Sequence, residues 1–215
     1  MGSAMTSESS TPDDLLRRAG SGDQEALAEL FGRYRDRLKR MVLLRLDRRL
    51  QGRIDASDVL QEAYLDLARR ASEIADKPAM PFFLWLRLLT GQRLLAIHRR
   101  HFGTRMRDVG QEVALHHGAM PQATSASLAA QLLGRLTSPS LAAVRAEMQL
   151  RLQEALNSMD PIDREVLVLR HFEELSNGET AEVLGLQKTA ASNRYVRALK
   201  RLRSILQSMP GFGDE

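Results

Sequence analysis

No cysteine occurs among the 215 residues, which removes disulfides, zinc–thiolate centres and thiol nucleophiles. No apolar run reaches the ~18 residues that a membrane-spanning helix needs. Aromatic residues make up only 5% of the chain, too few for a typical β-sandwich or barrel. The opening MGSAMTSESS lacks a basic segment followed by an apolar one, so secretion by that route is not expected and a cytoplasmic protein is. Met1 to Ala4 reads as an addition ahead of a natural start at Met5. There is no strand pattern, no internal repeat, no glycine-rich phosphate loop behind a strand, no nucleophile elbow and no zinc-binding helix motif. Neither a catalytic centre, a metal site nor a cofactor is expected. His98 and His101 lie three apart on one helix, but a metal wants a third ligand, and histidines facing solvent or phosphate are the plainer reading. Asp13/Asp14, Glu173/Glu174 and Asp214/Glu215 read as surface or capping acids.

What is present is unevenly distributed charge. The formal net charge is only +4. Yet residues 81–107 carry six arginines (Arg87, Arg93, Arg99, Arg100, Arg105, Arg107) and no acid. Residues 183–203 carry six more cations (Lys188, Arg194, Arg197, Lys200, Arg201, Arg203), again with no acid. The rest of the chain holds 19 cations against all 27 acids. Surfaces built for solubility intersperse their signs. Two basic blocks in an otherwise acidic chain point to polyanion contact at two places.

Helical periodicity and caps divide the chain. Thr11-Pro12-Asp13-Asp14 starts a first helix. Asp23 caps a long second one with Leu27, Leu30, Phe31, Tyr34, Leu38, Met41 and Val42 at three- and four-residue spacing. A third begins near Asp55 and buries Val59, Leu60, Ala63, Tyr64 and Leu67. After a loop at 76–81, a fourth runs over about residues 82–101, with Phe82, Trp85, Leu86, Leu89 and Leu94 inward. These four helices form one expected domain, residues 12–102, behind a disordered N-terminus at 1–11. Residues 103–143 are poor in charge and read as a flexible linker with a short helix around 128–133. The second domain, residues 144–207, has four helices, followed by a tail at 208–215. The fold class is all-α, with two small helical domains.

The sharpest local pattern lies between Leu175 and Arg203. Ser176-Asn177-Gly178-Glu179 is a capping box, Gly185 ends the short helix it opens, and a long cationic helix follows. That is the helix-turn-helix arrangement. Ala181, Leu184, Leu186, Ala191, Tyr195 and Leu199 would lock the two helices. Lys188, Thr189, Ser192, Asn193, Val196 and Arg197 are then left outward, groups able to bond base edges and phosphates. A plain helical hairpin within a bundle is the competing reading.

Leu175 to Leu186, with Ser192-Asn193-Arg194 and Arg197-Ala198-Leu199-Lys200-Arg201-Leu202 after it, resembles the promoter-binding C-terminal domain of extracytoplasmic-function (ECF) sigma factors of the sigma-70 family. Residues 156–170 resemble the leading helix pair of that domain. Asp58-Val59-Leu60-Gln61-Glu62-Ala63-Tyr64 resembles the family's polymerase-clamp helix, and Phe82-Phe83-Leu84-Trp85-Leu86 with Arg99-Arg100 its promoter-melting helix. The resemblance covers about residues 12–102 and 145–207. It implies polymerase contact by Asp58, Gln61 and Glu62. It implies contact with the −10 element by Trp85, Arg93, Arg99 and Arg100; Trp85 and Phe83 are candidate stacking platforms, although aromatics at helical spacing are more often core. The −35 element would be read by Lys188, Thr189, Ser192, Asn193, Arg194 and Arg197, with Arg194 also able to brace the fold. By resemblance, a flipped base would be held by the loop at 71–80. Ala96, Gln92 and Gly91 stand where the family often has aspartate, asparagine and arginine.

The implied partners are core RNA polymerase, promoter DNA and, in some family members, an anti-sigma factor, with no membrane and no small-molecule substrate. A stand-alone helix-turn-helix regulator is the alternative, though no dimerising heptad accompanies it. A nucleic-acid-processing enzyme would need carboxylates inside the basic blocks, and none are there.

Overall fold

The computed structural model of the chain describes residues 11–75, 80–102, 120–121, 123–136 and 142–208, and every regular element among them is helical. Helix α1 (Pro12–Gly20) begins where the Thr11 hydroxyl accepts the Asp14 N–H at 3.2 Å. Helix α2 (Gln24–Arg45) begins where the Asp23 carboxylate accepts from Glu25 and Ala26, both at 3.0 Å. A complete capping box opens α3 (Ala56–Arg69): Asp55 accepts the Ser57 N–H at 2.7 Å, and Asp58 accepts the Asp55 N–H at 3.1 Å. Helix α4 (Ala71–Ala75) and helix α5 (Phe82–Phe102) complete the first half. Its core is leucine-rich, with Leu15, Leu27, Leu30, Leu38, Met41, Val42, Leu60, Leu67, Leu86 and Leu94 fully or almost fully buried. Each contributes about 1.5–3 kcal/mol by leaving water, so together they outweigh the caps that set the helix ends.

The second half comprises α6 (Ser125–Leu136), α7 (Ala142–Asn157), α8 (Pro161–Leu167), a π-helical turn (Val168–Phe172), α9 (Asn177–Leu184) and α10 (Lys188–Gln207). Asp160 caps α8 with Pro161 at its first position. Leu128, Ala129 and Leu133 of α6 join Leu152, Leu156, Leu167, Val168, Phe172, Ala198 and Ile205 in one core. The low charge of the expected linker therefore has a use in its central part: 123–133 supplies apolar side chains to the second half. Two further departures are local. The expected loop at 71–80 contains α4, and the expected helix over 161–172 changes to π geometry at Val168. Residues 76–79 of that loop, Arg105, Arg107 and the tail from 209 lie outside the described residues.

The two halves are in contact. Leu169 and Leu175 of the second half are buried in the first core, and Leu44 of α2 is buried in the second. Glu173, expected at the surface, is fully buried, and Arg87, counted among the phosphate-tracking cations, is 4% exposed. Sequence spacing could not reveal this, because the partners that allow burial of their charges come from the opposite half of the chain.

Candidate nucleic-acid interface

The geometry of α10 begins one helix earlier. Ser176 Oγ accepts the Glu179 N–H at 3.2 Å, and the Glu179 carboxylate accepts the Ser176 N–H at 2.7 Å. The chain leaves α9 through Gly185, whose φ of +62° is left-handed. A side chain there would cost roughly 1 kcal/mol or more. The Leu186 N–H then bonds back to the Ala181 carbonyl at 2.8 Å, closing the turn. Asn177 Nδ2 donates to the Lys188 carbonyl at 2.9 Å, tying the start of α9 to the start of α10. Ala181 and Ala191 are buried between the helices, with Leu184, Leu186, Tyr195 and Leu199 half-buried around them. The expected locking set is thus in place.

Lys188, Thr189, Ser192, Asn193, Val196 and Arg197 are all exposed on α10, and Lys200, Arg201 and Arg203 extend the cationic surface toward its C-terminus. No acid lies on this helix, so its outer face offers donors, hydroxyls and positive charge. Two of its arginines are already engaged. Asp163 of α8 accepts from Arg197 Nε at 2.8 Å, from Arg197 Nη2 at 3.1 Å and from Arg194 Nη1 at 2.7 Å. Burial pushes the Asp163 carboxyl up, but the bonds from Arg197 and Arg194 outweigh it and hold the group below its ordinary value. Arg194 is half-buried and acts as a brace between α8 and α10. Arg197 keeps 62% of its side chain exposed, yet two of its guanidinium nitrogens are spent on Asp163. Spacing alone missed Asp163; an acid three residues after the helix-capping Asp160 was the available signal.

The outward face of α5 carries Gln92, Ala96, Arg99 and Arg100, all exposed. The two arginines sit in the last turn, where cations complement the helix dipole. Arg93 is half-buried and paired with Asp66 of α3. Trp85 is half-buried against the first core, its ring 6.1 Å from that of Phe82. Phe83 is buried beneath the Arg37 guanidinium, 3.6 Å from its ring centre, and is therefore a core residue. Gly91 faces inward: a Cβ there would lie 2.3 Å from Met120 Cε. The three positions that differ from the family pattern thus separate, two to the surface and one beneath the Met120 side chain. His98 is also inward, its Nε2 accepting the Asp47 N–H at 3.3 Å.

On α3, Asp58 and Gln61 are exposed, Glu62 is half-buried and Leu65 is 49% exposed. Asp58 serves the capping box of its own helix, which leaves one carboxylate oxygen uncommitted to that bond.

Residues 149–202 match the family model described as sigma-70, region 4. The chain is 26% identical over 200 residues to the ECF RNA polymerase sigma factor SigD of Mycobacterium tuberculosis, covering 93% of this chain and 86% of SigD. It is 26% identical over 198 residues to SigK of the same species, covering 92% and 95%. It is 26% identical over 203 residues to BldN of Streptomyces coelicolor, covering 94% and 69%. Among solved structures, CnrH in complex with the cytosolic domain of CnrY shares the fold at a TM-score of 0.51 and 22% identity, over 90% of this chain and 96% of that one.

Proposed function

We propose, from the premise that the chain belongs to the extracytoplasmic-function branch of the sigma-70 family, that it binds core RNA polymerase and directs promoter recognition, strand melting and transcription initiation. The observation that carries this reading is the outer face of α10: exposed, acid-free, rich in short hydrogen-bonding groups and fixed by the capped α9 and the Gly185 turn. Lys188, Thr189, Ser192, Asn193, Arg194 and Arg197 are assigned to the −35 element. Arg93, Arg99, Arg100 and Trp85 are assigned to the −10 element, and Asp58, Gln61 and Glu62 to a basic surface on the polymerase clamp. Charge pairs of the last kind set orientation and on-rate more than affinity. The protein forms no covalent bonds in this scheme. Its specificity comes from two weak DNA contacts held on one polymerase, each raising the effective concentration of the other. It acts where the polymerase is, in the cytoplasm. CnrH is solved with the cytosolic domain of CnrY, and a regulatory polypeptide of the anti-sigma class is a further partner proposed for this chain.

The experiment is reconstitution of the full chain with core polymerase and run-off transcription from a promoter library. Start-site-specific transcripts that depend on the added chain bear the reading out and yield the promoter sequence. Salt-sensitive duplex binding without polymerase association would move the assignment to a stand-alone helix-turn-helix regulator.

A further inference from the structure

Helix α2 ends on a buried cation. Arg45 is 2% exposed, and a charge at that depth is tolerated only when paired and hydrogen-bonded. Its partners all come from far along the chain. Nε donates to Glu173 at 3.0 Å, Nη2 pairs with Glu165, and Nη1 donates to the Pro121 carbonyl at 2.9 Å. Glu173 takes a second cation, Arg87 of α5, through Nε at 2.6 Å. Two arginines of the first half and two glutamates of the second thus form a neutral, buried cluster. Burial alone would raise the Glu173 carboxyl, but Arg45 and Arg87 bring it down to about 2.

The backbone around Glu173 is held by the same helix. Arg40 Nε donates to the Phe172 carbonyl at 2.9 Å and pairs with Glu174 at 2.6 Å. Arg37 donates to the carbonyls of Glu173 and Glu174 at 3.1 and 3.0 Å. These carbonyls lie at the end of a π-helical turn, closed by the Glu173 N–H donating to the Val168 carbonyl at 3.0 Å, a rare geometry concentrated at functional positions. Glu174 follows with a left-handed φ of +57° on a residue that has a Cβ, a conformation that persists only where its surroundings impose it. A third contact is apolar: the Met120 side chain fills the space above Gly91 that any other residue would occupy. The arrangement carries a cost, since Arg87 Nη2 is buried with no partner among the described residues.

This packing is incompatible with reading two promoter elements at once. By the positions that name them, the −10 and −35 elements lie about 25 base pairs apart, or about 85 Å at 3.4 Å per pair. A chain of this length folded into one body has a radius of gyration of about 17 Å and measures about 45 Å across. Building on the sigma-factor reading, we infer that the closed arrangement is an autoinhibited form. Its latch is the Arg45–Glu173–Arg87–Glu165 cluster together with Met120 in the Gly91 seat, and productive loading on polymerase requires that latch to open. Opening returns four charges to water and frees the two halves to separate on the linker.

The absence of native cysteine permits a clean test in the full chain. Arg35 and Ser204, both exposed and outside the proposed contact sets, are replaced by cysteine and labelled for distance measurement by spectroscopy. In the free protein one short distance is expected. Core polymerase should lengthen it, and so should E173Q in the free protein, where it should also tighten apparent polymerase affinity at least tenfold. M120A touches no charge and should act in the same direction with a smaller shift, so it serves if E173Q fails to fold. A free wild-type chain that is already extended overturns the latch, as does a short distance that survives polymerase binding or both substitutions. An opened chain that binds no polymerase would instead count against the sigma-factor reading.

Discussion

Replacing Asp163 by asparagine keeps the side-chain volume and removes the one charge that Arg194 and Arg197 share. The Asp163 side chain is only 8% exposed, whereas Arg194 and Arg197 are 25% and 62% exposed. Three charge-assisted bonds inside a protein would each be worth about 1.5–3 kcal/mol. Here Arg197 is free to hydrate once released, and solvent screens the pair from the start. The expected loss is therefore about 1–2 kcal/mol, or about 2–8 °C in Tm for a chain of this size. The pH dependence has a definite sign. Asp163 is held below its ordinary carboxylate value, so its contribution is fully present above about pH 4 and fades as the pH falls through the depressed value. The difference between wild type and D163N should therefore be constant near neutrality and close in acid. On DNA, two released arginines should strengthen binding to random duplex, steepen its salt dependence and lower the ratio of specific to non-specific affinity. Thermal melts from pH 3 to 8 and competition binding with a promoter duplex against a scrambled one measure both effects. A D163N protein with wild-type Tm and an undiminished specificity ratio would refute the reasoning that Asp163 positions these side chains.

Other outcomes follow from the same structure. Arg197→Ala removes a cation from the outer face of α10 and should weaken promoter binding with a shallower salt slope in filter-binding titrations; an unchanged affinity and slope would mean that Arg197 makes no DNA contact. Ser176→Ala, which removes half of the α9 capping box, should lower stability by about 0.5–2 kcal/mol in denaturant titrations; an unchanged midpoint would mean that the hydroxyl bond adds nothing. Burial pushes His98 below its ordinary value, so the unfolded chain binds its proton first. Stability should fall as the pH drops below about 6.5 and level off once the folded form also titrates. That slope should flatten in His98→Gln if the histidine is its source.

How much was legible in the sequence depended on whether the cause was local. Caps, helix-ending glycines and apolar spacing are properties of a few neighbouring residues. They located α1, α2, α3, α5, α9 and α10 closely, along with the Gly185 turn and the outward set on α10. Asp58, expected by resemblance to meet the clamp, also completes the capping box of its own helix and stays exposed. Distant causes stayed invisible. Nothing in the neighbourhood of Arg45, Arg87, Glu165 or Glu173 marks them as buried, since each is neutralised by groups tens of residues away. Gly91 looked like a departure from a pattern, and its reason, the Met120 side chain, lies beyond a stretch with no periodicity to follow.

The long sequence separations in the charge cluster also say something about how the molecule is made. Arg87 is 86 residues upstream of the glutamate that neutralises it. At about 5–20 residues per second, a ribosome needs roughly 4–17 s to cover that distance. During that interval the first half can assemble most of its leucine core from α1 to α5, with the places of Met120, Leu169 and Leu175 still to be filled. Neither Arg45 nor Arg87 can yet meet Glu173. Every newly synthesised copy therefore passes through a stage in which its N-terminal helices lie uncovered before its own C-terminus exists to close over them.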